Sequence, residues 1–267
     1  IIGCELYVAP RKHTDKVAGE KSNHLIVLVK NMQGYKNLMR LTTTAWLKGF
    51  YYRPRVDKEL LKEYHEGLIA TSACLQGEIS DLIVRGNVEG AKKAARDYQS
   101  IFGETNFYLE IMENGIPEQK IANTGLIEIG RELSIPLVAT NDCHYLNREH
   151  AEAHDVLLCI QTGKTIKDKD RMSLGTDQFY FRSPDEMQEL FSLTPDALSN
   201  TVSIAERCNF TPLEKGKFYL PKFTIKDPEE TLDEYLERKA IEGLEKLFPT
   251  ILQYHNGDEP ALREKYR

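Results

Sequence analysis

No CxxC pair occurs in this chain, and its five cysteines (Cys4, Cys74, Cys143, Cys159, Cys208) are odd in number and widely spaced. That excludes a disulfide framework and a zinc ribbon, and it matches a reducing, cytoplasmic setting. No apolar run approaches the roughly 20 residues that a membrane-spanning helix needs, so no membrane partner is expected. The opening "IIGCELYV" lacks the charged-then-apolar order of a signal peptide. Neither GxGxxG nor GxxxxGK[ST] follows any apolar run, which removes the usual phosphate cradle of open-sheet nucleotide-binding proteins. An excess of positive charge is missing too: 35 Lys and Arg stand against 41 Asp and Glu, for a net charge of −6. Broad phosphate neutralisation is thereby excluded, and any nucleic-acid role must be local or borrowed. Internal repeats and low-complexity tracts are absent as well.

What is present is an ordinary globular composition, 41% hydrophobic and 28% charged, over 267 residues. That is enough chain for one sizeable core and the beginning of a second unit. Five apolar, β-rich runs read as strands: 1–9, 24–31, 67–74, 106–112 and 136–145. Segments with helical spacing lie between them, at 33–48, 57–65, 77–101 and 117–134. Such alternation predicts a mainly parallel sheet covered by helices on both faces, and the absence of phosphate motifs favours a barrel over an open sheet. Beyond about residue 150 the pattern turns helical. Ser183 followed by Pro184 and two carboxylates makes a helix start, and Pro117 makes another. Residues 213–228 read as a connector, and 229–267 as a charged amphipathic helix opening a further region. The abrupt start on a strand-like segment suggests a fragment.

Chemically capable residues gather at strand ends. In "PLVATNDCHY", Asp142 and His144 are two apart, so on a strand both point to one face and can share a metal ion. Glu5 sits in an apolar segment where an unpaired carboxylate is costly to bury. His24 opens the second strand and Cys74 closes the third. Alone, each has a plainer role: a surface carboxylate, a hydrogen-bonded strand start, a small buried thiol. Together, on four of five consecutive strands, they point to metal chemistry. Glu110 alternates away from Phe107, Leu109 and Ile111 and reads as a surface or structural carboxylate, with a place at the barrel mouth as the alternative. His154 reads as a helix-packing histidine. Arg53 and Arg55, beside the aromatics of "YYRPR", suit stacking and phosphate contact, with a solvated loop before a helix as the equal alternative.

The segments "IIGCELYV", "HLIVLVKN", "GFYYRPRVD", "GLIATSACLQGE", "GIPEQ", "PLVATNDCHYL", "AEAHDVLLCIQTGKT" and "ALSNTVSIAERCN" resemble the polymerase-and-histidinol-phosphatase (PHP) domain of the alpha subunit of bacterial DNA polymerase III. The resemblance runs in order from residue 1 to about 210, and "LDEYLERKAIEGLEKLF" is similar to the entry into that subunit's polymerase region. It implies an α/β fold, a distorted (β/α)7 TIM-like barrel over 1–212 that is incomplete at its amino-terminal end. It also implies a multinuclear zinc or manganese site supporting phosphodiester hydrolysis, including 3′ to 5′ nucleotide removal. By position, the family's ligands fall on Glu5, His24, Cys74, Asp142 and His144, with Glu5, Asp142 and His144 nearest the chemistry. The family's His-x-His and Thr-Asp-His-Gly motifs would precede Ile1, and its magnesium-dependent polymerase aspartates would follow Arg267. Implied partners are DNA, the sliding clamp, the clamp loader and a proofreading subunit. The rival reading of a metal-poor scaffold that braces the polymerase and docks the proofreading subunit predicts the same fold.

Overall fold

The computed structural model describes residues 1–212, 216–218, 220–255 and 258–266. The chain divides into two compact units, Ile1–Pro212 and Leu213–Arg267. In the first, strands β1 (Gly3–Val8), β2 (Asn23–Val29), β3 (Arg55–Val56), β4 (Leu68–Thr71), β5 (Phe107–Met112) and β6 (Leu137–Thr140) form one sheet in the order β3-β1-β2-β4-β5-β6. Helices α1 (Met32–Leu47), α2 (Lys58–Glu63), α3 (Glu78–Val84), α4 (Val88–Phe102) and α5 (Pro117–Leu133) intervene, and α6 (Ala151–Thr162), α7 (Pro184–Leu190) and α8 (Pro195–Arg207) follow. The predicted helix 77–101 is therefore two helices, broken at Arg85–Asn87, where Gly86 takes a left-handed conformation. The two-residue β3 falls in a stretch where no strand is predicted.

The sheet is mainly parallel, as expected, with one exception. It is open among the described residues, with β3 and β6 at its edges, and forms no closed barrel there. The exception is β2, which runs antiparallel to both β1 and β4, while β1, β3, β4, β5 and β6 run parallel. The inversion matters for function. In an all-parallel sheet His24, at the start of its strand, would lie at the rim opposite the other candidates. Because β2 is reversed, its first residues share the edge where the parallel strands end.

Alternation sorts the side chains. Leu6, Val8, Leu25, Val27, Val29, Phe107, Leu109 and Ile111 face the main core against α1 to α5. The opposite face holds Ile69, Tyr108 and Val138, packed against Ile204 and Cys208 at the end of α8. The α8 helix is tied down by Asn200, which donates to the Leu137 carbonyl at 2.8 Å, and by Arg207, which donates to the Thr105 carbonyl at 2.7 Å. Strands β4 and β5 are buried on both faces, as helix-covered parallel strands should be. Glu5, Tyr7, His24, Thr71, Glu110 and Thr140 all lie on the α8 face by the same alternation.

The predicted helix starts at Pro117 and Pro184 both form. Ser183 caps α7 in a capping box with Glu186, whose carboxylate also accepts from the Tyr180 hydroxyl and is held at about 2. In the second unit, α9 (Leu232–Tyr254) begins with an equivalent box of Thr231 and Glu234. Helix α10 (Glu259–Tyr266) sends Arg263 to Glu245 at 2.7 Å and over the Phe248 ring. The predicted connector at 213–228 lies partly outside the described residues; 216–218 and 220–228 form no helix or strand. Among the described residues, no helix is long and apolar enough to cross a membrane.

Candidate metal centre

Three elements assemble the first part of the site. Register pairs Glu5 with Ile26 and Tyr7 with His24 across β1 and β2, so Glu5 and His24 are diagonal neighbours on one face. Their contact is direct, with His24 Nδ1 3.0 Å from Glu5 Oε1. Cys74 arrives from the turn after β4, its Sγ 3.7 Å from the same imidazole nitrogen. That turn is tight: the backbone N–H of Gly77 donates to the Cys74 carbonyl at 2.9 Å, and a Cβ on Gly77 would stand 2.0 Å from the Ser72 carbonyl oxygen. Tyr7 closes the cluster, its ring edge-on to His24 at 5.1 Å.

The second part corrects a detail of the sequence reading. Strand β6 ends at Thr140, so Asp142 and His144 lie in the following turn and not on a strand. Asp142 takes a left-handed conformation, φ 48°, which swings the two side chains together with His144 Nε2 3.6 Å from Asp142 Oδ1. The His144 backbone is anchored by donating to the Phe179 carbonyl at 2.8 Å, and its ring meets those of Phe179 and His154 edge-on. His154 thus packs against a candidate ligand from α6, as a packing histidine.

Charge links the parts. Burial works against a proton on His24, but hydrogen bonding to Cys74 and to Glu5, with their charge, outweighs it and lifts the imidazole to about 9. Asp142 pushes His144 upward, with a contribution from Glu5. His154 is pushed down by burial and by His144. Burial drives the Glu110 carboxyl upward against the hydrogen bonds it accepts from the Thr140 and Thr71 hydroxyls, and the Asp142 charge adds to the rise. Glu110 is only 5% exposed, so it is not a surface carboxylate; it joins the ends of β4 and β6, from which the Cys74 and Asp142 turns depart. Its alternation was legible in the sequence, but its burial depends on neighbouring strands and distant helices.

Carboxylate, imidazole and thiolate are all good ligands for zinc, and the first two suit manganese. The donor set fits a divalent ion in kind. In arrangement the donors are paired with one another, and among the described residues no three His, Cys, Asp or Glu side chains converge as a ready metal cage. One further feature marks the edge as built. Of the four non-glycine residues with positive φ, Ala73 precedes Cys74, Asp142 is itself a candidate, and Tyr52 lies in the loop before β3; such conformations cost of order 1–3 kcal/mol and cluster at functional sites. The two arginines separate. Arg53 is exposed, its guanidinium 5.5 Å from the Tyr7 ring centre. Arg55 is 2% exposed and donates to the carbonyls of Gly49, His13 and Asp15, a structural role that leaves Arg53 as the candidate for nucleic-acid contact.

The class these observations define is an α/β sheet protein with acidic, imidazole and thiol side chains near the ends of its strands. Residues 1–114 match the family profile of the PHP domain. The chain is 46% identical over 249 residues to the DNA polymerase III subunit alpha of Borreliella burgdorferi, covering 91% of this chain and 21% of that protein. It is 42% identical to the subunit of the same name from Treponema pallidum, over 91% of this chain and 21% of that protein. For the Thermus aquaticus subunit the identity is 38%, over 93% of this chain and 21% of that protein. Residues 1–114 carry a PHP domain, and nearly the whole chain is similar to part of DNA polymerase III alpha subunits. It spans about a fifth of the length of these relatives.

Proposed function

We propose that this chain is the PHP region of a bacterial replicative polymerase alpha subunit, and that its sheet edge contributes to a metal-dependent phosphodiesterase acting on a DNA 3′ end. What supports this reading is two groups of donors near the strand ends: Glu5 from β1 with His24 from the reversed β2 and Cys74 from the turn after β4, and Asp142 with His144 from the turn after β6. Zinc or manganese held there would polarise the phosphodiester and lower the pKa of bound water. Glu5, Asp142 and His144 would stand nearest the reacting atoms, His24 and Cys74 would fix position, and Glu110 would hold the two ligand-bearing turns in register. In the parent subunit the sheet would be part of a distorted (β/α)7 barrel, and 229–267 would lead to a magnesium-dependent polymerase region. DNA, the clamp, its loader and a proofreading subunit are partners of that larger assembly.

A second reading has its own support. The candidate donors already satisfy one another, Glu5 with His24 and Asp142 with His144, as in a domain kept for bracing the polymerase and docking a proofreading subunit. A single assay separates the two. With the full-length subunit free of any proofreading partner, manganese- or zinc-dependent release of 3′ nucleotides should be abolished by chelation and fall at least about a hundredfold in Asp142→Ala/His144→Ala. Release unaffected by that double substitution, or no release at all, overturns the hydrolytic reading.

A further inference from the structure

Residues 21–56 contain no aspartate or glutamate, yet carry seven lysines and arginines, in a chain whose net charge is −6. This is the local basic stretch that the overall composition conceals. Its exposed surface is also aromatic. Trp46 and Phe50 stack at 5.4 Å with their rings 17° apart, and Tyr51 and Tyr52 meet at 4.6 Å. Trp46 is 62% exposed and Tyr52 82%. Large rings held in water beside cations are costly unless something covers them, and their charge selects a polyanion as the cover.

The loop is held in shape before any ligand arrives. Arg55 donates from Nε to the Gly49 carbonyl at 3.1 Å and lies over the Tyr51 ring, and the Tyr51 N–H donates to the Arg53 carbonyl at 3.0 Å. A Cβ on Gly49 would stand 2.0 Å from the Arg55 carbonyl oxygen, so the loop closes only with glycine there. Tyr52 is carried outward at φ 58°, a conformation that a bulky residue adopts only under constraint. From the loop a chain of contacts leads to the candidate centre: Arg53 lies over Tyr7, and Tyr7 is edge-on to His24.

We propose that Trp46, Phe50 and Tyr52 form a stacking path for single-stranded nucleic acid, with Lys48 and Arg53 contacting its phosphates, that ends at Tyr7 beside His24. Exposed aromatic faces suit unpaired bases, since every base has a π-face, and arginine adds both stacking and charge. The idea rests on the phosphodiesterase reading for its direction, because a path ending at His24 would present a strand terminus to the donors. Its binding part stands without that reading.

The test measures binding of a fluorescent 12-residue oligothymidylate to this chain by anisotropy, in EDTA so that metal plays no part. Tyr52→Asn keeps a residue tolerant of the left-handed turn, and Trp46→Ser changes an exposed helix position, so both variants should fold; circular dichroism checks this. Each should weaken binding about tenfold, the scale of one lost base stack. An abasic strand of equal length, which loses every stack at once, should bind wild type more weakly than the oligothymidylate binds either variant, and should lose nothing further in them. Arg53→Gln should reduce the slope of log affinity against log salt by about 0.7, one phosphate on a single strand. Equal affinity in wild type and both aromatic variants overturns the proposal, as does a preference for duplex of the same length. So does an absence of oligonucleotide binding with the aromatic face occupied by a protein partner instead. Failure of 3′ hydrolysis with these binding losses intact would count against the phosphodiesterase reading alone.

Discussion

His24 Nδ1 stands 3.0 Å from Glu5 Oε1 across an antiparallel strand pair, and Cys74 Sγ approaches the same nitrogen at 3.7 Å. The imidazole is thereby raised to about 9 although burial opposes its charge. A raised histidine contributes stability that is fully present below the unfolded value near 6.5 and is lost as pH rises through about 9. Glu5→Gln removes one source of the rise while Cys74 keeps the other. In metal-free protein, an NMR titration of His24 should show its midpoint moving down toward 6.5, and the loss of stability on the alkaline side should shift to lower pH with it. An unmoved midpoint would mean that the contact does not form in solution.

The two neighbouring arginines should behave oppositely. Arg55→Ala leaves three carbonyls without their donor in a buried place and should cost about 3 kcal/mol or more by urea denaturation. Arg53→Ala, at an exposed position, should stay within about 0.5 kcal/mol.

Asp57 caps α2 through the Leu60 N–H at 2.8 Å and accepts from the backbone N–H of His13 at 2.7 Å, with the His13 Nδ1 at 2.5 Å. Burial alone would raise this carboxyl, but those bonds outweigh it and hold it below 3.8. The group therefore stabilises the fold above about pH 4, and that contribution is lost as pH falls through the depressed folded value. Asp57→Asn should lower stability at neutral pH and flatten its decline below pH 4. Chemical denaturation at a series of pH values measures both.

Glu110 accepts from the Thr140 hydroxyl at 2.5 Å and from that of Thr71, joining two strand ends from beneath. Glu110→Ala strands both hydroxyls and opens a hole, an expected loss of about 2–4 kcal/mol. Glu110→Gln fills the space and should cost less. If the clamp positions the Cys74 and Asp142 turns, Glu110→Ala should also weaken zinc affinity about tenfold or more while the protein is still folded.

The parts of the fold that were legible in the sequence have local causes. The runs from Ile1, His24, Gly67, Asn106 and Pro136 each contain a strand because unbroken apolar, β-branched sequence suits a covered sheet, and Pro117 and Pro184 mark helix starts through fixed backbone geometry. What stayed hidden depends on distant partners. The direction of β2 is set by how residues 9–22 return the chain, and no residue in β2 encodes it. The burial of Arg55 requires carbonyls from Gly49, His13 and Asp15. At the site, residue types were legible and placement was not: Asp142 and His144 meet through a left-handed turn beyond β6, where strand alternation predicted a shared face.

The most direct test is anomalous diffraction at the zinc or manganese edge from crystals of the full-length subunit grown with that metal. The account predicts peaks within about 2.0 to 2.3 Å of donor atoms of Glu5, His24, Cys74, Asp142 and His144. Metal bound elsewhere, or a centre that leaves His24 and His144 paired only with Glu5 and Asp142, would contradict it.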